Sequence, residues 1–569
     1  MPPEIARTAD VPPRWLDRLL LASWRPYALI GAAGFALYFR VLSFGYVYLD
    51  DNSLILDRSP RLNGFAGVLD AFRSDIFHSH GGGAFYRPVF ALSLGLDAWL
   101  RGASPVVYHL DNVVVHLAAA GLVFALLARL GYSRGTALFC ALLFDVHPVL
   151  SQAVAWIPGR NDSLAAVFVL SAFLPFAACL DARRERAGGW CLCTAHVLFF
   201  ALALFTKETA VASIGVFLVY AFLLRKERER GALAACAVGW LAVLSAYYAL
   251  RRGALVDPLR LSPVEMARSI GLNLPGLLQS AGKILLPVNL AVLATIGDTG
   301  LFYGAAASLA VLGALATTPK KRWRNILFGL CWFVLFFLPS MLLRSTKTAD
   351  IALEHRSYLP IIGFLIVLME TAAARDRRGR SAVVLGALVL AVFSTVTWRR
   401  LDVFKDRLVF WRSAVGTSPH LPWAHVNLGT VYYMDGDLAR AAAEFSAASA
   451  LNPREPMVHN DTGLIFLREG RIPEAEREFK AELAINPDFD NALFNLGQVY
   501  YHLGRPAQAE SFWEKTLKVN PDYAGAYYGL IVLSIGRRDH GAAARYAERL
   551  RSRGLTLRAD IAQILAASK

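Results

Sequence analysis

The sequence predicts an all-α protein in two parts. Residues 1–398 form a polytopic membrane helix bundle, residues 422–569 form a stack of short helix pairs, and residues 399–421 connect them. Three observations predict this division. Of 569 residues, 56% are hydrophobic, and before Arg399 they gather in runs long enough to cross a hydrocarbon core of ~30 Å. After Arg399 the runs stop, and Asn-Pro pairs recur with a strict 34-residue period at Asn452-Pro453, Asn486-Pro487 and Asn520-Pro521. Finally, the excess positive charge falls in every second connection between the apolar runs.

There are about eleven such runs, each near the length a span requires. They cover residues 25–46, 109–130, 135–154, 164–180, 190–206, 210–224, 232–250, 301–317, 325–342, 358–373 and 381–398. A polar leader precedes Arg25 and no small-residue cleavage site follows, so the first run reads as an uncleaved span. Basic clusters stand at Arg14/Arg18/Arg25, Arg129/Arg134, Arg183/Arg184/Arg186, Arg225/Lys226/Arg228/Arg230, Lys320/Lys321/Arg322/Arg324 and Arg375/Arg377/Arg378/Arg380. This is the positive-inside pattern. It predicts an N-terminus in the cytoplasm and, with an odd number of spans, a C-terminal region in the periplasm or a lumen. The Arg-rich composition points to a bacterial inner membrane. The net charge of +15 therefore reflects topology, and no nucleic-acid partner is expected. Arg399-Arg400 breaks the pattern, on the wrong side of the last run. The six cysteines all lie in apolar runs, and Cys191-x-Cys193 reads as packing.

The connections assigned to the outer face carry the chemistry. The first opens with Tyr48-Leu49-Asp50-Asp51-Asn52 and runs to about residue 107 through Asp75, His78, His80, Tyr86-Arg87-Pro88 and an amphipathic stretch at 90–100. Two adjacent carboxylates where a chain leaves the hydrocarbon usually mean function, and a loop of this length usually does too. The second connection carries His147-Pro148 and Gly159-Arg160-Asn161-Asp162, the third Lys207-Glu208, and the fifth Glu354-His355-Arg356-Ser357-Tyr358-Leu359-Pro360. His109, Asn112 and His116 share one face of the second span, which predicts a helix–helix or cavity-facing surface. Arg and Lys at interface depth can hold a phosphate, and a carboxylate beside them can take a proton from a hydroxyl. Together they suit group transfer from a lipid-linked phosphate.

In the C-terminal region Gly429, Gly463 and Gly497 keep the 34-residue period, as do Ala441, Ala475 and Ala509, and Phe445, Phe479 and Trp513. This is the tetratricopeptide (TPR) signature: small residues where paired helices touch, an aromatic in the second helix, Pro at the turn. Four repeats begin near Pro422, Pro456, Asp490 and Ala524. Asn427, Asp461 and Asn495 recur at the position that faces the concave groove, where such groups can bond the backbone of an extended acceptor peptide.

YLDDN, YRP, H-x-x-N-x-x-x-H, HPV with GRND, the KE pair and EHRSYLP, in this order and followed by TPRs, resemble the transmembrane-and-TPR glycosyltransferases. These are C-type (GT-C) glycosyltransferases related to protein O-mannosyltransferases. The resemblance covers essentially the whole chain. It implies a GT-C membrane fold, a polyprenyl- or dolichyl-phosphate sugar as donor, and inverting transfer on the non-cytoplasmic face. It maps the family's acidic motif onto Asp50 and Asp51, with Asp50 as base. Lys207, Arg356 and Arg160 map as phosphate contacts, and Arg87, His147, Asp162, Glu208, Glu354 and His355 support the site. Some members of the superfamily use a divalent metal and some do not, and the adjacent carboxylates permit either. This chain departs from the family in carrying only about four repeats, and in a degenerate last repeat with Ile531 and Ala547 where Gly and an aromatic are expected. The function expected is transfer of a sugar to a hydroxyl, plausibly Ser or Thr of a polypeptide held by the TPRs. The rival is a non-catalytic, membrane-anchored TPR scaffold for envelope assembly, which would need no acidic pair and no phosphate-binding cations at interface depth.

Overall fold

The computed structural model describes residues 20–56, 64–77, 85–181, 186–225, 230–255, 262–319, 321–342, 353–371 and 380–567. The described chain is all-α. It forms two compact units, 1–418 and 419–569. The connecting segment goes with the first unit as far as Ser418. Gly45 N–H donates to Lys405 C=O at 2.9 Å, Trp411 Nε1–H to Val47 C=O at 3.0 Å, and Ser418 Oγ–H to Leu293 C=O at 2.7 Å.

All eleven apolar runs contain helix, but they are not equivalent. Among the described residues, seven helices are long and apolar enough to cross a membrane: Arg25–Ser43, Pro105–Arg129, Ile157–Cys179, Gly189–Thr206, Arg230–Ala254, Trp323–Met341 and Val383–Phe404. The 135–154 run is bent by 47° between Arg134–Asp145 and Pro148–Ala155, giving up to eight if that pair is one span. Pro148, which lacks an N–H, sits at the bend. The runs at 210–224, 301–317 and 358–373 give shorter helices, Glu208–Leu224, Phe302–Ala316 and Pro360–Met369. About eleven spans are expected from the sequence; among the described residues seven, or up to eight, helices are of full length. A further amphipathic helix, Pro263–Leu285, was not expected. It starts at a capping box in which Ser262 and Glu265 satisfy each other's backbone, with Pro263 in the first turn.

Packing within the body is aromatic and close. Phe173, Phe176, Phe217, Trp240 and Trp332 form one buried cluster. The helices Trp323–Met341 and Pro360–Met369 touch backbone to backbone, because a Cβ on Gly329 would stand 2.7 Å from Gly363 C=O. Small residues at such crossings are how membrane helices approach.

Ion pairs sort the helix ends into two groups. Arg129 and Arg225 both reach Asp181, at 2.5 and 3.0 Å, and Arg322 reaches Glu370 at 2.5 Å. At the other ends, Arg87 pairs with Glu208, Lys207 with Asp162, and Glu354 with both Lys283 and Arg400. Connections that the charge pattern assigned to one face therefore pair with one another. Arg14/Arg18, Arg183/Arg184, Lys226/Arg228 and Arg375/Arg377/Arg378, along with His78 and His80, lie outside the described residues.

The second unit is four helix pairs followed by Ala559–Ala567. The first helices are Pro422–Met434, Val458–Arg468, Asp490–His502 and Ala524–Gly536, and the second are Leu438–Leu451, Ile472–Ile485, Pro506–Val519 and His540–Ser552. The periodic residues meet as the spacing predicts. A Cβ on Gly429 would lie 2.5 Å from the Phe445 ring, and one on Gly463 2.7 Å from Phe479. In the last repeat the sizes are exchanged between helices. Ile531 and Ala547 are buried together with Ile561 of the final helix, so the departure from the pattern builds a cap.

Candidate active site

The site is assembled on the turn that follows the first span. Helix Arg25–Tyr38 ends in a short turn to Ser43, and the chain then runs extended to Val47. Tyr48 adopts a φ of 61°, in the left-handed region that a bulky residue enters only at a cost of about 1–3 kcal/mol. Asp51 holds it there. Its Oδ2 accepts from the Val47 and Tyr48 amides at 2.9 and 3.0 Å, and the residue is 1% exposed. The neighbouring Asp50 is only half-buried, and no described group donates a hydrogen bond to its carboxylate. The two carboxylates are therefore distinct: Asp51 shapes the turn, and Asp50 is presented by it.

Their acidities follow from this placement. Burial pushes Asp50 up to about 6, against the pull of the Arg87 charge. Burial pushes Asp51 further, to about 7; the backbone N–H bonds oppose this and the Asp50 charge adds to it.

Arg87, whose charge acts on Asp50, belongs to a compact lattice of charges. Arg87 grips Glu208 bidentately, Nε to Oε2 at 2.8 Å and a terminal nitrogen to Oε1 at 2.5 Å. Burial alone would raise Glu208, but the Arg87 charge and hydrogen bond draw it down to about 2. Lys207 donates to Asn161 Oδ1 and Asp162 Oδ1, both at 2.7 Å, leaving one of three ammonium donors uncommitted. Asp162 Oδ2 stands 3.9 Å from His355 Nε2, too far for a hydrogen bond. Burial, then the charges of Lys207, Arg356 and Arg87, hold His355 well below its ordinary pKa, so it is a neutral imidazole. Its ring packs on Trp156 at 5.3 Å. Arg356 lies within electrostatic reach of Asp162, Arg87 and Glu208, yet makes no hydrogen bond or ion pair among the described residues. Of the predicted phosphate contacts it alone has an uncommitted guanidinium.

The remaining predicted residues take structural places. Arg160 is 1% exposed and is engaged by Asp97 at 2.6 Å, Asn112 at 2.6 Å, Tyr108 C=O at 2.7 Å and Ser93 C=O at 3.2 Å. The expectation that it contacts a donor phosphate is corrected, since its donors face inward. His147 donates from Nε2 to Ile284 C=O and accepts the Val149 amide on Nδ1. Glu354 is buried, with Oε1 accepting from Lys283 and the Ala291 amide and Oε2 from Arg400. This explains the basic pair on the wrong side of the last span: Arg400 is a counter-ion, not a topology signal. Lys283 was missed because it sits in an unforeseen helix. The polar stripe on the second span faces inward as expected. Asn112 donates to the Val154, Trp156 and Ile157 carbonyls, and His116 donates to Asp145 C=O while accepting from Tyr358 at 2.6 Å.

In the repeats, the predicted groove residues bond to neighbouring groups of the repeats themselves. Asp461 accepts from Thr430 and Asn460, and Asn495 donates to Asn460 at 2.9 Å. Asn427 donates to Trp423 C=O in its own helix. At Asp461 and Asn495 the recurring position thus helps to join repeats.

A membrane helix bundle with an acidic turn and a cationic lattice, followed by four TPR-like helix pairs, is the class of protein these features define. The repeats match two tetratricopeptide repeat families, over residues 426–489 and 466–532. The chain is similar to protein O-mannosyl-transferase TMTC1 of Homo sapiens, 27% identical over 400 residues, which is 60% of this chain and 45% of that protein. It is also similar to protein O-mannosyl-transferase F38B6.6 of Caenorhabditis elegans, 24% identical over 69% of this chain and 58% of that one. Tmtc1 of Drosophila melanogaster is 33% identical over 32% of this chain and 21% of its own. The chain thus spans about half the length of the curated relatives it matches. The family its motifs resemble is the family of these relatives.

Proposed function

We propose that this protein is an integral membrane glycosyltransferase that moves a sugar from a polyprenyl phosphate to a hydroxyl of a polypeptide. The observation that carries the reading is an open carboxylate, Asp50, within electrostatic reach of Arg87, whose charge also acts on the uncommitted guanidinium of Arg356. Asp50 removes the proton of the acceptor hydroxyl as its oxygen attacks the anomeric carbon. The bond from that carbon to the phosphate oxygen breaks, and the phosphate leaves on the lipid with both electrons. Arg356 can meet that charge with two parallel N–H bonds, and Lys207 with its remaining donor. Arg87–Glu208 and Asp162–Lys207 prevent rearrangement as the charge moves. The alternation of basic loops supports an orientation in which this site and the repeats face away from the cytoplasm of a bacterial inner membrane.

The purified protein, offered a panel of polyprenyl-phosphate sugars and polypeptide acceptors, should yield sugar-modified acceptor by mass spectrometry. Arg356→Lys keeps charge and loses the fork, so donor affinity should fall with the fold intact. No transfer from any donor, together with donor binding unchanged in Arg356→Lys, would remove the reading and favour a scaffold.

A further inference from the structure

The opposite end of the bundle holds a second convergence of reactive groups. Cys179 ends helix Arg160–Cys179, Cys193 lies in helix Arg186–Thr206, and Cys236 lies in helix Arg230–Ala254. Their three sulfurs lie within 4.8 Å of one another, and Cys179 and Cys236 are 4.0 Å apart. All three residues are buried, although Cys191, two positions from Cys193, is exposed. Asp181, two residues past Cys179, is the acid that gathers Arg129 and Arg225, so the trio sits just inside the basic end of the body.

We propose that Cys179, Cys193 and Cys236 form a trigonal thiolate site for a soft monovalent cation of the copper(I) type. The separation has a geometric meaning. An ion about 2.3 Å from each of three sulfurs in one plane sets those sulfurs about 4.0 Å apart. The ligand set selects the ion: thiolates favour soft metals, and structural zinc takes a fourth ligand. The histidine nearest in the surrounding aromatic cluster, His196, cannot serve as one. Its Nδ1 bonds Ala172 C=O at 2.9 Å and its Nε2 accepts from Trp240 at 2.7 Å. Phe176, Phe217 and Trp240 pack around that histidine. Binding replaces weak thiol contacts, such as Cys179 Sγ–H to Phe176 C=O, and releases protons from the thiols that ionise. One ion would tie together the three helices Arg160–Cys179, Arg186–Thr206 and Arg230–Ala254.

The test uses the full chain in detergent, loaded anaerobically with Cu(I) and challenged with a bathocuproine-type chelator. One Cu(I) per chain should survive, with X-ray absorption showing sulfur-only, three-coordinate copper. Cys179→Ser and Cys236→Ala should each weaken retention by more than the roughly 10–100-fold typical of losing a mere supporting group. Cys191→Ser and Cys140→Ser should leave it unchanged. If the variants fail to fold, the stoichiometry and absorption spectrum of the wild-type protein decide alone. No copper retained by folded wild-type chain, equal retention in Cys236→Ala, or a Cys179–Cys236 disulfide in protein purified under reducing conditions would overturn the proposal.

Discussion

Gly463 and Phe479 meet across a single helix pair in the repeat unit, whereas Glu354 in the membrane body meets Lys283 and Arg400 from 71 and 46 residues away. The repeat unit holds itself together with contacts that recur at a fixed offset, each a small residue against an aromatic face. The body uses buried charges whose partners come from separate loops and do not recur. Local, repeated contacts tolerate change one repeat at a time. A buried triad does not, because removing one member leaves charges in a medium that cannot solvate them.

The largest expected effect separates the two directly. Glu354→Ala strands Lys283 and Arg400 and should lower body stability by about 3–5 kcal/mol, seen as a fall in the melting temperature of detergent-purified protein. A change near zero would mean that water reaches the triad. Gly463→Ala drives a methyl into the Phe479 ring and should cost about 1–3 kcal/mol, confined to the repeat transition; Phe479→Leu in the same chain should restore part of it. Asn495→Ala removes the bond to Asn460 and should cost on the order of 1 kcal/mol. A larger loss in acceptor transfer than in repeat stability would return that residue to the groove.

The smallest effect is in pH. Asp50 and Asp51 are raised from 3.8 to about 6 and about 7. The stability their neutral forms contribute is complete below the ordinary carboxylate value and is lost as pH rises through 6 to 7. Activity runs the other way, since the base must be ionised. Transfer should rise across that window and level above it. Arg87→Gln removes the charge that lowers Asp50 and should move the rising limb to higher pH. An unmoved limb would show that another group titrates there.

What the sequence made legible follows the same division. The repeats were readable to within a residue or two because Gly429/Phe445, Gly463/Phe479 and Gly497/Trp513 each obey one rule, and period is visible in one dimension. Asp50, Arg87, Lys207 and Arg356 were readable because polar residues stand out against apolar runs. Which of two adjacent carboxylates is open, however, depends on the Val47 and Tyr48 amides bonding Asp51, a three-dimensional fact. Arg160 misled for the complementary reason: its partner Asp97 lies in a stretch read only as amphipathic. How many runs give full-length helices was not legible, because hydropathy does not register the bend at Pro148 or the short Pro360–Met369 helix. Cys193 read as packing because its sulfur neighbours lie on two other helices.

The central claim is that the turn after the first span presents one carboxylate, Asp50, as the base. The most direct measurement compares transfer rates of Asp50→Asn and wild-type protein, at matched melting temperature and matched donor binding. The account predicts a loss of ~10²–10⁴-fold with both controls unchanged. Asp51→Asn should instead lose the turn and fall in stability as well. Transfer by Asp50→Asn at the wild-type rate would contradict the account.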